Sequence, residues 1–333
     1  MNLSHKMFIL AVEEMNFTKA AHRAFVTQQC LSLHIKKLET EYGIKLFERK
    51  PRLQLTPAGE SLYHSLCQLQ IAESSIVEKL SDIKEGRRGE IIFGINATRA
   101  KVLIPNIVSV YQENFPLVKI SLILDDMRNL VPLLLNGKID MFLGVDCIYN
   151  KNFNVLPLIR DEVFFIAKAS VLEKFAINKQ VYEETMRSHE IDLLNFPNLP
   201  FIGNYTGSST NNLIERYLDM RRVRRDVLFS VSDYEIQIEA CAFCSMVAFC
   251  PNMVLEKVFE QNAKKTTKFP LHIFRFKGLQ DSLHIDLISH KNSYQTSFHK
   301  EFIRMLQQQI LMQEFLTARL LEECWRNKNK QTT

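Results

Sequence analysis

The sequence predicts an α/β protein preceded by an N-terminal winged helix-turn-helix, and three observations carry that assignment. Two short amphipathic helices lie about a turn apart between Asn16 and Lys37, and the second leaves amides, a hydroxyl and cations off its apolar face. A helix-period stretch from Pro57 to about Lys84 has no further proline and no glycine after Gly59. From Glu90 onward, short apolar runs alternate with helical patterns, as in βαβ units.

Composition narrows the class. A chain of 333 residues with 46% hydrophobic and 24% charged residues is long enough for two or three folded domains and reads as soluble rather than disordered. No apolar run reaches bilayer length, and Met1 to Lys6 lacks a secretory signal, so a cytoplasmic protein with no membrane partner is expected. Seven scattered cysteines read as free thiols. The net charge is +5, and residues 1–56 hold nine Lys/Arg against five Glu, an excess of four. Phosphate contacts require such a local surplus.

The first helix shows Phe8, Ile9 and Val12 on one face and runs to about Glu14. Asn16 or Thr18 can cap the second helix, which Ala20, Ala21 and Ala24 keep thin. Thr27 can cap the third, where Leu31, Ile35 and Leu38 follow i, i+4, i+7 spacing toward the core. Gln28, Gln29, Ser32, Leu33 and Lys36 then point outward. Glutamine can bond adenine through two contacts, serine can serve a base edge or a phosphate, and lysine suits guanine or phosphate. Leu46 to Leu55 alternates like a short hairpin whose Arg49, Lys50 and Arg52 would lie along a DNA backbone as a wing does. With Thr18 and Thr27 at the helix starts, these residues form the candidate DNA-contacting set. A merely solvated face would explain any one helix, but not the agreement of caps, turn and basic wing.

Thr56 can cap and Pro57 can start the long helix. Its Leu62, Leu66, Leu69, Ile76, Leu80 and Ile83 form a heptad seam that predicts a homodimer. Lys84 to Gly89 reads as a solvated hinge.

Five segments, in order and in register, match a known pattern: Ala20-Ala21, Thr27-Gln28 with Ser32, Leu38-Glu39, Leu46-Phe47-Glu48-Arg49 and Leu55-Thr56-Pro57-Ala58-Gly59. The stretch resembles the winged helix-turn-helix of LysR-type transcriptional regulators. Leu33 departs from it, because the family often has arginine there; a leucine offers only apolar contact, for instance to a thymine methyl. The resemblance implies dimerisation through the linker helix, frequent tetramers, an interrupted inverted repeat in double-stranded DNA, and RNA polymerase as a further partner.

In the C-terminal half, strands are expected at 91–95, 119–124, 139–145, 163–167, 201–203, 227–231, 246–250, 273–276 and 283–289. Helices are expected at 102–115, 130–135 and 211–220. A mostly parallel sheet covered on both faces should result. This half resembles the two-lobed, periplasmic-binding-protein-like (type 2) effector domain of the same family. The expected domains are 1–58 for DNA binding, 59–88 for the linker and 89–333 for effector binding. Lobe I would comprise 89–161 and 269–333, with both last strands returning to it, and lobe II 162–268.

Ligands in such sheets bind at strand carboxyl ends between lobes. That selects Asn96, Ala97, Thr98 and Arg99 from one lobe and Gly203, Asn204, Thr206, Ser208 and Ser209 from the other. Thr98 can also cap the following helix, and it matches a Ser/Thr position that contacts effector in related proteins. The helix start with Arg99 and Lys101 would suit an anion, although a solvated surface accounts for both cations. No cofactor or metal is expected. Between Cys241 and Pro251 the family has a glycine-bearing turn, and here Cys244 and Met246 stand in place of the glycines; no second Cys or His pair follows Cys241 and Cys244 at ligand spacing, so core packing is favoured over redox or metal chemistry. Arg221 to Arg225 reads as a solvated helix end. The tail beyond Gln307 is helical through Trp325, with Ile310, Phe315, Leu316 and Leu320 as a candidate oligomer contact.

These readings converge on a transcriptional regulator that binds specific DNA under control of a small molecule. A ligand-independent architectural DNA-binding protein and a solute-binding protein are the alternatives. An enzyme is disfavoured because no phosphate-cradling loop, metal-spaced set or nucleophile elbow occurs.

Overall fold

The computed structural model describes residues 1–49, 52–84, 88–205, 207–264 and 269–329, with side chains for all of these except 81–84 and 327–329. The N-terminal unit packs α1 (Leu3–Glu14), α2 (Phe17–Arg23) and α3 (Gln28–Tyr42) around Phe8, Leu31, Ile35 and Leu38, all at 0% exposure. Asn16 caps α2 by accepting from the Thr18 and Lys19 amides, and Thr27 caps α3 by accepting from the Cys30 amide. The wing is the antiparallel pair β1 (Phe47–Glu48) and β2 (Gln54–Leu55).

Helix α4 (Pro57–Lys84) leaves this unit. Thr56 Oγ1 accepts from the Gly59 amide at 3.0 Å and donates to the Lys45 carbonyl at 2.7 Å, tying helix start to wing. Gly59 is required there, because an added Cβ would overlap the Leu46 carbonyl oxygen and Leu55.

Two lobes follow. Lobe I is built on a five-stranded sheet of order β4-β3-β5-β13-β6, from β3 (Arg88–Ile95), β4 (Leu117–Leu124), β5 (Met141–Val145), β6 (Phe153–Asp161) and β13 (Leu283–His290). Lobe II holds the sheet β11-β7-β12-β8, from β7 (Val163–Lys168), β8 (Glu190–Ile191), β11 (Ala248–Pro251) and β12 (Leu271–Phe276), beside a parallel pair of β9 (Pro200–Gly203) and β10 (Asp226–Ser230). Helices α5 (Ala97–Asn114) and α6 (Met127–Leu135) belong to lobe I. Helices α7 (Ala169–Phe175), α8 (Lys179–Ser188), α9 (Ser209–Arg221), α10 (Tyr234–Phe243) and α11 (Glu256–Ala263) belong to lobe II, and α12 (Ser297–Asn329) touches both.

The sheet order corrects two expectations. The sheets are mixed rather than mostly parallel: β3 pairs in parallel with β4 and β5, while β13 runs antiparallel to β5 and β6. Strand β12 does not return to lobe I, since it pairs with β7 from Leu271↔Lys168 to Phe274↔Phe165. The second crossing therefore lies between Phe276 and Leu283, not near 268. Residues 269–276 belong to lobe II, and lobe I resumes with β13.

Candidate DNA interface and interlobe cleft

On α3, Gln28, Gln29 and Lys36 are exposed, Ser32 is half-buried, and Leu33 stands 68% exposed. With Arg49 they line one shallow concavity on the outside of the unit. The amphipathic spacing causes this: each turn that buries Leu31, Ile35 or Leu38 places its polar neighbours on the opposite side. The Thr18 hydroxyl donates to Gln28 Oε1 at 3.3 Å, so α2 orients the first amide of α3. Arg49 is positioned from two sides, 5.5 Å from the centroid of the Phe17 ring and 3.7 Å from Glu39. Glu39 in turn accepts from the Leu46 amide at 2.9 Å. Arg52 is exposed beside β2, and Lys50 lies outside the described residues. Sequence reasoning missed Phe25 in the turn between α2 and α3, which is 95% exposed with φ +57°. That backbone conformation strains a bulky residue.

The seam of α4 divides in two. Leu66 is buried in the core of the N-terminal unit and so is not free to pair, and Leu62 is half-buried against the same core. Beyond it, Leu69, Ile76, Val77 and Leu80 are 44%, 60%, 67% and 63% exposed. The Ile83 side chain lies outside the described residues, as do 85–87 of the expected hinge, while its Lys84 ends α4 and its Arg88 and Gly89 begin β3. The opposite face of α4 rests on lobe I: Ile71 fills the space over Gly137, and Ser75 Oγ donates to the Asn292 carbonyl at 3.1 Å. A cavity of about 360 Å³ remains in this joint, lined by Glu78, Asp140, His290 and His299 among others. Burial pushes the Glu78 carboxyl up and the His290 imidazole down from their ordinary values. Lys138 of lobe I also reaches Glu13 of α1 at 2.7 Å, and Glu13 holds Arg23 of α2 at 2.8 Å.

Between the lobes lies a cavity of about 230 Å³, lined by Asn96, Arg99, Asp125, Asp126 and Arg128 from lobe I and by Asn204, Tyr205, Ser208, Thr210 and Tyr234 from lobe II, with further neighbours. Several bonds hold the lobes together around it. Ser209 Oγ donates to the Val145 carbonyl at 2.8 Å, the Arg128 guanidinium sits 4.8 Å from the Tyr205 ring centroid, and Lys101 reaches Glu235 at 3.1 Å and Asp233 at 3.6 Å.

The expected ligand residues divide here. Asn96, Arg99 and Asn204 line the cavity. Thr98 does not: it is 1% exposed, and Asn96 rather than Thr98 caps α5, accepting from the Thr98 amide at 3.0 Å. Gly203 sits behind the wall against Val227. Thr206 lies outside the described residues. Arg99 is not solvated as expected but 5% exposed, 3.3 Å from Asp161, which also accepts from the Met253 amide at 2.9 Å. Burial raises the Asp161 carboxyl while the Arg99 charge opposes that rise.

Two other expectations resolve outside the cleft. Cys241 is fully buried, as core packing requires, and burial drives its thiol far up, as for Cys250, which leaves little thiolate on these two for redox chemistry; Cys244 instead is exposed and does not join the core. The basic run is not simply a solvated helix end. The Arg225 side chain, 7% exposed, is held by Glu215 and Asn211 and lies 5.6 Å from the Phe249 ring centroid, and Arg221 pairs with Asp192 at 2.6 Å. Among the described residues, no helix is long and apolar enough to cross a membrane, and no cluster of His, Cys, Asp or Glu is arranged to hold a metal ion.

Comparison with known proteins gives matches along nearly the whole chain. Residues 4–60 match the model "Bacterial regulatory helix-turn-helix protein, lysR family", and residues 84–310 match "LysR substrate binding domain". The HTH-type transcriptional regulator BudR of Raoultella terrigena is 33% identical over 165 residues, 49% of this chain and 57% of that protein. A probable RuBisCO transcriptional regulator of Phaeodactylum tricornutum is 26% identical over 294 residues, 87% of this chain and 90% of its own. Among solved structures, a full-length OxyR variant from Pseudomonas aeruginosa superposes with a TM-score of 0.66 at 18% identity, covering 93% of this chain and 94% of its own. CbnR, solved alone and with its target DNA, superposes at 0.57 and 0.56 with 16% identity, each covering 92% of this chain and 98% of its own.

Proposed function

The chain belongs to the LysR family of transcriptional regulators, and from that membership we propose how its own residues carry the role: α3 enters the major groove, and a small molecule between the lobes governs how two copies are held on DNA. The observation that carries the first part is the single exposed face shared by Gln28, Gln29, Ser32, Leu33, Lys36 and Arg49. Its amides and hydroxyl match base edges, Leu33 offers an apolar surface to a thymine methyl, and Lys36, Arg49 and Arg52 supply phosphate contacts. Leu69, Ile76 and Leu80 are the seam through which two copies pair, presenting two reading helices to two half-sites. Pairing of dimers into tetramers and contact with RNA polymerase belong to this reading as family expectations.

For the ligand we infer a different class. An anion was expected, yet Arg99 already faces Asp161 and Lys101 already faces Glu235. The remaining lining carries Arg128 against Asp125 and Asp126. Among the described residues, one free cation beside two carboxylates disfavours an anion and suits a zwitterionic or neutral polar molecule of metabolite size, since about 230 Å³ is below the usual drug-sized range.

DNase footprinting on the chain's own upstream DNA tests the proposal. Two protected half-sites about one helical turn or a multiple apart are expected. Continuous, sequence-independent protection would instead support an architectural role, and no protection would refute DNA binding there.

A further inference from the structure

Helix α12 is about 50 Å long and carries one buried stripe through Phe302, Leu306, Ile310, Gln313, Thr317 and Leu321. These positions follow the i, i+3/i+4 repeat of one helix face. The first half of the stripe rests on lobe I. The Tyr111 hydroxyl donates to the Phe298 carbonyl at 2.9 Å, and the Phe302 ring packs edge-on against Phe93 and Tyr111.

The second half rests on lobe II. Gln313 Nε2 donates to Glu256 Oε2 at 2.8 Å, and Leu321 joins the core of Val258 and Ile273. Thr317, at 0% exposure, turns its hydroxyl back onto the Gln313 carbonyl at 2.9 Å, so the helix can approach closely. Trp325, the one tryptophan of the sequence, closes the contact. Its indole N–H donates to the Ile273 carbonyl at 3.2 Å, its ring stacks on His189 at 5.4 Å and 13°, and the Arg275 guanidinium lies 5.1 Å from its centroid.

The backbone otherwise passes between the lobes at two places, from β6 to β7 and from β12 to β13. Extended connections of that kind can twist. A single helix packed on both lobes cannot follow a rotation without breaking its packing at one end. We propose that the segment of α12 beyond Ile310, where the match to the LysR substrate-binding model ends, is a strap that sets the angle between the lobes and so the width of the cleft. This deepens the reading of the cleft as the effector site and rests on it. The strap's mechanical claim is nevertheless independent of any ligand, which lets the two fail separately.

Hydrogen exchange on the full-length protein, without added ligand, tests the strap in Trp325→Ala and Thr317→Arg. The expected result is that cleft-lining backbone in both lobes, 125–130 and 207–212, exchanges about tenfold faster, while β3 and β7 keep their protection. The idea is overturned if the change stays under the helix, in 189–191 and 271–276, or does not occur. Loss of protection in β7 would also overturn it, because the segment would then hold lobe II together rather than the angle between lobes. If the strap result holds but no small molecule binds the cleft, only the effector reading falls.

Discussion

The Thr18 hydroxyl and Gln28 Oε1 stand 3.3 Å apart across the helix-turn-helix, which orients the Gln28 amide toward α2. Gln28→Ala should therefore cost about 1–3 kcal/mol of discrimination at one base pair. Thr18→Val should cost less, about 0.5–1.5 kcal/mol, through lost orientation. Binding to a series of duplexes altered one base pair at a time measures both, and an equal loss on every duplex would assign Gln28 to phosphate instead.

Salt titration separates the cations. Lys36→Ala and Arg52→Ala should each reduce the slope of log affinity against log salt by about 0.9. Arg49→Ala should reduce it less, because Glu39 already shares its charge at 3.7 Å. Unchanged slopes for Lys36 and Arg52 would remove them from the interface.

Arg99→Met would leave Asp161 buried without its cation, and removing one partner of such a pair costs about 3–5 kcal/mol. The sign with pH follows from the raised Asp161 carboxyl. Above its ordinary value of 3.8 the unfolded chain releases this proton more readily than the folded one, so the group's contribution to stability is present below 3.8 and lost as pH rises through the folded value. The variant should accordingly lose stability more steeply than the parent as pH rises from about 4. Urea denaturation at several pH values reads this directly, and parallel curves for the two proteins would contradict it.

Substitutions on α4 should act differently on its two ends. Ile76→Asp with Leu80→Asp should yield monomers by light scattering, without lowering the melting of the lobes. Leu66→Ala should leave association intact and destabilise the N-terminal unit by about 2–5 kcal/mol. A dimer that survives the double aspartate variant would place the seam elsewhere.

What the sequence revealed was local. Caps at Asn16, Thr27 and Thr56, the Leu31/Ile35/Leu38 stripe and the length of α4 depend on neighbours within a turn or two, and all were legible. Pairing between distant segments was not. The alternation of β12 is the same whichever sheet it joins, and its hydrogen bonds to β7 decide the lobe. Strands β6 and β8 and helices α7, α8, α10 and α11 escaped notice; the periodicity of α10 is weak, whereas α8 is amphipathic and packs on its neighbours α7 and β8, so its pattern was legible and was missed. Arg99 looked solvated because its partner Asp161 is 62 positions away. The strap shows the same limit: Trp325 was legible as helical, but its stacking on His189 was not.

The most direct test of the account is the ratio of affinities for the chain's own upstream duplex and a scrambled duplex of equal composition, at one fixed salt concentration. The parent protein should favour the former by at least about a thousandfold. In Gln28→Ala with Ser32→Ala that preference should fall by one to two orders of magnitude or more, while binding to the scrambled duplex persists. Equal affinity of the parent for both duplexes, or a preference untouched by the two substitutions, would contradict α3 as the element that reads DNA.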